Sequence, residues 1–149
     1  MTTAAATDTP TTPTSIPRLI GRLALGAFLL LAGISHLAWN RDAFLAQVPT
    51  WLPLEGDFVV IASGLVEITL GLSLLLLARR QVQVGWVVAL FFLAIFPGNI
   101  SQFVTATDSF GLNSDLSRGI RLLFQPALVA WALWSTGAWR AWRARRQAS

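Results

Sequence analysis

The sequence predicts an all-α membrane protein, a four-transmembrane-helix bundle with a short amphipathic or re-entrant segment between helices 1 and 2. Four apolar stretches, at about residues 17–39, 58–78, 82–105 and 117–139, are each long enough to cross a bilayer, because about 20 helical residues span the hydrocarbon core. The chain is 54% hydrophobic and only 12% charged, whereas a soluble domain usually has about 25% charged residues. The spans use most of the chain, so we expect one membrane domain over residues 17–139.

The two ends of the chain differ from this domain in composition. Residues 1–16, MTTAAATDTPTTPTSI, are rich in Thr, Ala and Pro and lack hydrophobic periodicity, which is typical of a disordered tail. A cleaved signal peptide is the alternative, but the first span is long and no clean small-residue cleavage site follows it. Residues 140–149, which begin RAWRARR, form a basic tail that we expect along the headgroups of anionic lipid.

Arginine supplies all 11 basic residues and gives the chain a net charge of +4. The arginines lie mostly at span ends rather than in one patch, which favours a lipid bilayer over nucleic acid as the partner. The positive-inside rule predicts a multi-pass protein of the cell (plasma or inner) membrane with both termini in the cytoplasm. The arginines on the predicted inner side are Arg18, Arg22, Arg79, Arg80, Arg140, Arg143, Arg145 and Arg146.

The loop between the first two spans, RDAFLAQVPTWLPLEG, is amphipathic rather than uniformly polar. Pro49 and Pro53 prevent a long helix there. We therefore expect a short interfacial or re-entrant segment that folds over the outer mouth of the bundle. The alternative is a loop that rests its apolar side on the headgroups.

Six strongly polar side chains fall in the outer half of the predicted spans, and the inner half has almost none. Helix rise places Glu67 about 14 Å deep, close to the midplane, where a carboxylate must be protonated or paired. We expect Glu67 to be neutral or bonded to His36, Arg121 or Asn99. The alternative is that the amides only bond helices together and that Arg121 reaches the headgroups. The six candidate cavity residues are His36, Glu67, Asn99, Gln102, Arg121 and Gln125.

Small residues and prolines accompany these polar positions. Gly64 and Gly71 lie three and four residues from Glu67, which predicts a seam where another helix approaches closely. Gly26 and Gly33 lie on the same stripe as His36. Near the other polar residues, two prolines, Pro97 and Pro126, leave backbone carbonyls without a helical donor and predict kinks that open the outer half.

The chain resembles the DoxX-like family of small four-span membrane proteins over roughly residues 20–139. The resemblance depends on GISHLAWNRDAFLAQVPTWLP, SGLVEITLGL, FPGNISQ and RLLFQPALVAWAL. Many members have an aromatic residue directly after the His, where this chain has Leu37. The positions that match the family pattern are Gly33, His36, Phe44, Pro49, Trp51, Pro53, Gly64, Glu67, Gly71, Pro97, Asn99, Arg121 and Gln125. The resemblance implies a four-helix membrane bundle, and its members have been linked to quinone-coupled sulfur oxidation, redox-defence complexes and assembly of partner proteins.

Several kinds of chemistry find no support in the residues. The chain has no Cys and one His, so it offers no thiolate to a metal and cannot hold haem between two of its own histidines. A zinc site would have only His36, Glu67 and a distant Asp, and we predict no metal site. No Gly-rich nucleotide loop or Ser–His–Asp set is present, which argues against an autonomous enzyme.

Three functions remain. The first is a non-catalytic component or assembly partner of a membrane complex, which binds a membrane or peripheral protein. The second is a redox-linked subunit that binds a quinone or similar lipid-soluble molecule in the outer-half cavity. In that hypothesis His36 and Arg121 bond a quinone oxygen and Glu67 relays a proton. The third is transport of a small solute or proton by a homo-oligomer. The sequence ranks them in this order.

Overall fold

The described part of the computed structural model, residues 14–111 and 113–148, consists of helices joined by turns, with no strand. The predicted tail at residues 1–16 lies outside the described residues up to position 13, and the first helix begins at Ile16 with Pro17 in its first turn. The helices are α1 (Ile16–Leu37), α2 (Arg41–Leu45), α3 (Gly56–Leu76), a 3₁₀ turn (Ala78–Arg80), α4 (Gln81–Val104), α5 (Asp115–Ser135) and α6 (Ala138–Gln147).

Among the residues that the structure describes, three segments are long and apolar enough to cross a membrane: α1, α3 and Ala78–Val104. They correspond to the first three predicted spans. The fourth long helix, α5, has 21 residues but is more polar, because Asp115, Arg118 and Arg121 fall in its first turns.

The fourth span was predicted to end at about residue 139. The helix ends at Ser135, because Gly137 adopts a left-handed backbone conformation with φ of 71°, which glycine adopts without strain. Residues 140–147 of the predicted basic tail belong to the separate helix α6. At its other end α5 is fixed by a capping box in which Ser114 and Ser117 bond each other's backbone and side chains.

The predicted glycine seam is confirmed between α1 and α3, which run antiparallel. A Cβ placed on Gly33 would lie 2.5 Å from the carbonyl oxygen of Gly64, and one on Gly71 would lie 2.7 Å from that of Gly26. These two contacts bring the backbones together over the middle of both helices. The second pair of helices is α4 and α5, and contacts of α1 with α5 and of α3 with α4 close the bundle.

The bundle is packed at one end and open at the other. We call the end with the Ala78–Arg80 turn and the α5–α6 turn the arginine end, and the end with residues 38–55, 105–111 and 113–114 the loop end. The apolar core lies toward the arginine end and comprises Leu25, Leu29, Leu70, Leu74, Val84, Val88, Ala89, Phe92 and Ala132. Toward the loop end the same four long helices enclose a cavity instead.

The segment predicted between the first two spans folds over the mouth of this cavity. It forms the five-residue helix α2 and then a series of turns through Pro49 and Leu52. Ion pairs tie the loops to the helices at this end. Arg41 bonds Asp57 at 2.8 Å, and Arg118 bonds Asp108 at 2.9 Å.

Candidate functional site

The cavity at the loop end has a volume of about 710 Å³ and lies among α1, α3, α4, α5 and the folded-over loop. Most of its lining is apolar, with Phe44, Phe92 and Phe110 among the larger side chains. Five of the six predicted polar residues line it: His36, Glu67, Asn99, Arg121 and Gln125. Helix packing brings them together from four helices that are distant in sequence.

Gln102 is the exception. It is buried, but it does not line the cavity, and its side-chain amide donates to the carbonyl of Thr107 at 3.3 Å. It therefore fixes the turn that follows α4. The three-residue spacing from Asn99 predicted a shared face, but Gln102 comes after the part of α4 that borders the cavity.

His36 and Glu67 form the polar wall on the α1–α3 side. Both are almost fully buried, at 5% and 6% exposure, and Nε2 of His36 lies 3.6 Å from Oε2 of Glu67. This distance is too long for a hydrogen bond, and Oε2 of Glu67 has no other hydrogen-bond partner in the described residues. His36 and Glu67 are thus close enough for an electrostatic contact, but Oε2 of Glu67 accepts no hydrogen bond from the described residues.

Ser63 determines which ring nitrogen of His36 carries a proton. Its hydroxyl donates to the carbonyl of Val60 at 3.0 Å and lies 3.2 Å from Nδ1 of His36. Since that hydroxyl hydrogen is already used, we assign Nδ1 as the donor to Ser63. In the neutral imidazole Nε2 is then a lone-pair acceptor facing Glu67, and a proton on either group makes that contact favourable.

Asn99 and Gln125 join α4 to α5 through two hydrogen bonds, which run from α4 to Gln125 on α5 and back to α4. Asn99 Nδ2 donates to Gln125 Oε1 at 2.9 Å, and Gln125 Nε2 donates to the carbonyl of Phe92 at 2.6 Å. Pro97 follows Phe92 by one turn within α4. The accepting carbonyl is next to that of Leu93, which the proline leaves without its helical donor. These amides act as structural links that border the cavity.

Arg121 is held at the mouth of the cavity. Its Nη2 donates to Oε1 of Gln47 at 2.6 Å, and its guanidinium lies 5.3 Å from the ring centre of Phe110. Gln47 in turn donates to Ser109 at 3.2 Å. Two loops and α5 therefore meet at one glutamine side chain.

Gln47, Phe44 and Phe110 were not among the predicted site residues. Phe44 packs its ring against those of His36 and Phe110. The one feature of the sequence that could have indicated a role for Gln47 is that it is an uncharged polar residue within an amphipathic loop. Its partners could not be identified because Ser109 and Arg121 are more than 60 residues away in sequence.

Arg22 also departs from expectation. It was assigned to the flank of the first span, but it is 4% exposed inside the bundle near the arginine end. The sequence predicted almost no polar side chains in that half, but Arg22, Ser135 and Thr136 are all buried there.

Within residues 14–111 and 113–148, no group of three or more His, Asp or Glu residues lies close enough together to hold a metal ion. The cavity instead offers hydrogen-bonding groups on one wall and at its mouth, and apolar side chains elsewhere. Such a lining suits an organic molecule with a polar head.

Comparison with known protein families matches most of the chain. The family model described as "Domain of unknown function (DUF8561)" matches residues 25–136, which include all four long helices in whole or in part. No curated protein and no solved structure matches the chain.

Proposed function

The chain belongs to the DUF8561 family, and from that premise we propose that it is a non-catalytic component of a membrane complex that binds a lipid-soluble molecule of the quinone class in the loop-end cavity. One observation carries the proposal. A cavity of about 710 Å³ has an apolar lining, and at its wall a buried carboxyl oxygen of Glu67 has no hydrogen-bond partner in the described residues.

The proposal requires the four long helices to form a transmembrane bundle, as in the DoxX-like proteins that the sequence resembles. Support for α5 as the fourth span comes from where its polar groups lie. Arg118 is buried and paired with Asp108 and Asp115 in the first turns, and Gln125 is buried against α4. Large apolar side chains on α5, including Leu123 and Phe124, are exposed at 71% and 60%, as a lipid-facing helix surface requires.

We propose that the arginine end faces the cytoplasm of a plasma or inner membrane. The chain has no Cys, so single cysteines report the topology directly. A membrane-impermeant maleimide should label Asn113→Cys in intact cells and Arg79→Cys only after lysis. The reverse pattern would invert the proposed orientation.

The size and chemistry of the cavity fit a quinone-class ligand. Binding sites for small molecules usually have volumes of about 300–1,000 Å³ and few polar groups. A quinone has an apolar ring and carbonyl oxygens that accept hydrogen bonds. Arg121 can donate to one carbonyl, and a proton carried by either Glu67 or Nε2 of His36 can be donated to another. The rings of Phe44 and Phe110 supply an apolar surface beside these groups.

A titration with ubiquinone-1, a short-chain soluble quinone, tests the proposal. Trp39 and Trp51 line the cavity, so their fluorescence should be quenched saturably as ligand binds. We expect Glu67→Met to weaken binding about tenfold, the effect of losing one hydrogen bond to the ligand. Glu55→Met, which removes an exposed carboxylate outside the cavity, should bind as the wild type does.

Native mass spectrometry after gentle extraction from the membrane provides the second readout. The wild type should retain a small molecule that Glu67→Met loses. If neither retains one and no quinone quenches the tryptophans, the binding proposal fails. A protein partner held equally by both would then favour a purely structural component, for which the closed Asn99–Gln125 link is the supporting observation.

A further inference from the structure

A second, smaller pocket lies at the arginine end of the bundle, on the side opposite the loop-end cavity. It has a volume of about 220 Å³ and is formed where the beginnings of α1 and α4 meet the α5–α6 turn. Its polar lining comprises Thr14, Arg18, Gln81, Ser135, Thr136 and Arg140.

The pocket contains positive charge without a described counter-charge. Arg18 on α1 and Arg140 on α6 both line it, and neither has an ion pair in residues 14–111 and 113–148. The acidic residues of that part of the chain lie at the loop end or, in the case of Glu67, in the other cavity. The beginning of α6 adds the partial positive charge of a helix N-terminus.

Arg22, on the same helix as Arg18, adds a buried positive charge at this end of the bundle, although it does not line the pocket. It lies one helical turn further into the bundle than Arg18 and is 4% exposed. Its Nε and Nη1 atoms have no hydrogen-bond partner in the described residues. A buried guanidinium with unfilled donors is costly unless an anion offsets its charge.

Among the uncharged groups of the pocket, Thr14 and Gln81 keep donors open. Gln81 donates to the hydroxyl of Thr14 at 3.0 Å, so the Thr14 hydroxyl hydrogen remains available. The hydroxyls of Ser135 and Thr136 both donate to the carbonyl of Ala132 and are already used. The open donors of the pocket are therefore two guanidinium groups, the Thr14 hydroxyl and the second N–H of the Gln81 amide, a set that matches phosphate oxygens.

We propose that this pocket binds a phosphate group, supplied by the headgroup of an anionic phospholipid. The position of the pocket at the end of the apolar helices puts it at headgroup level if the bundle spans the membrane as proposed above, and basic pockets between such helices are known to suit anionic headgroups. Soluble inorganic phosphate offers the same chemistry. The inference uses no residue of the loop-end cavity, so it can fail or succeed independently of quinone binding.

Native mass spectrometry of the full chain in detergent with added phosphatidylglycerol tests the proposal. The variant Arg18→Gln/Arg140→Gln removes both pocket guanidiniums. Arg79→Gln/Arg80→Gln is the matched control, because it removes two exposed charges at the same end that do not line the pocket. We expect the pocket variant to bind the lipid about 25-fold more weakly, the product of about fivefold for each guanidinium, and the control to change by less than about threefold.

Other outcomes separate the alternatives. Equal weakening in both variants would mean diffuse attraction to the basic surface and would overturn the pocket. Stabilisation of the wild type, but not of the pocket variant, by millimolar inorganic phosphate without lipid retention would support the pocket and assign it to a soluble anion. If the double variant does not fold, Arg140→Glu at an exposed position should abolish binding, and retained binding would overturn the proposal.

Discussion

Oε2 of Glu67 lies 3.6 Å from Nε2 of His36, inside the distance for electrostatic contact but outside that for a hydrogen bond. The carboxyl oxygen has no other partner in the described residues and is almost fully buried. Leaving such an acceptor unfilled costs about 1–3 kcal/mol. We therefore interpret the His36–Glu67 contact as part of a ligand-binding site rather than as an interaction that stabilises the fold.

The first prediction separates stability from binding at this position. Glu67→Met replaces the carboxyl with an apolar side chain of similar length, so the ligand-free protein should become more stable by about 1–2 kcal/mol. Thermal unfolding in detergent, followed by tryptophan fluorescence, measures the change. A lower melting temperature with unchanged ligand binding would assign Glu67 a structural role instead.

The second prediction concerns the close approach of α1 and α3. Gly33→Ala would place its Cβ 2.5 Å from a backbone oxygen of Gly64, and since backbone cannot move aside cheaply, we expect a loss of about 2–4 kcal/mol of stability. Gly119→Ala in α5 is the matched control. Its Cβ would make only an ordinary contact, 3.7 Å from Phe103, so the higher helix propensity of Ala should leave stability unchanged or raise it by about 0.5–1 kcal/mol. Equal effects of the two substitutions would contradict the seam.

The glycine seam shows how much the sequence determines. Spacing along one helix predicts which residues share a face, and this was sufficient for the α1–α3 contact and for five of the six residues around the cavity. Spacing does not determine how far along a helix the cavity extends. For this reason Gln102 was predicted to line the cavity, although its side chain donates to the carbonyl of Thr107. Apolar composition located the three helices that are long and apolar enough to cross a membrane, but the end of α5 depended on the backbone conformation of Gly137.

Residues whose roles depend on long-range packing could not be predicted in this way. The direction of an arginine near a helix end is set by its neighbours on other helices, so Arg22 was assigned to the surface although it is buried. Gln47 belongs to a loop whose position over the cavity follows from the packing of α2 against α1 and α3. Nothing in its local sequence identifies Arg121 as its partner.

The third prediction tests the link between α4 and α5. Gln125 makes two hydrogen bonds, and Asn99 takes part in only one of them. Gln125→Leu should therefore lower the free energy of unfolding by about 1–3 kcal/mol, and Asn99→Leu should lower it less. A double-mutant cycle should give a coupling energy of about 0.6 kcal/mol, the average for polar pairs between membrane helices. Purely additive effects would mean that the Asn99–Gln125 bond contributes nothing to stability.

The fourth prediction concerns the loop that covers the cavity. Gln47 accepts from Arg121 and donates to Ser109 and to the carbonyl of Ala43, so Gln47→Ala removes the contacts that hold α2 and its turns over the mouth. Amide hydrogen exchange should become faster over residues 41–52 and stay unchanged in α3 and α4, because local opening does not require the bundle to unfold. A bound quinone should dissociate faster from this variant. Thr50→Ala, at an exposed position in the same loop, should exchange as the wild type does, and unchanged exchange in Gln47→Ala would show that the apolar contacts of Phe44 alone hold the loop closed.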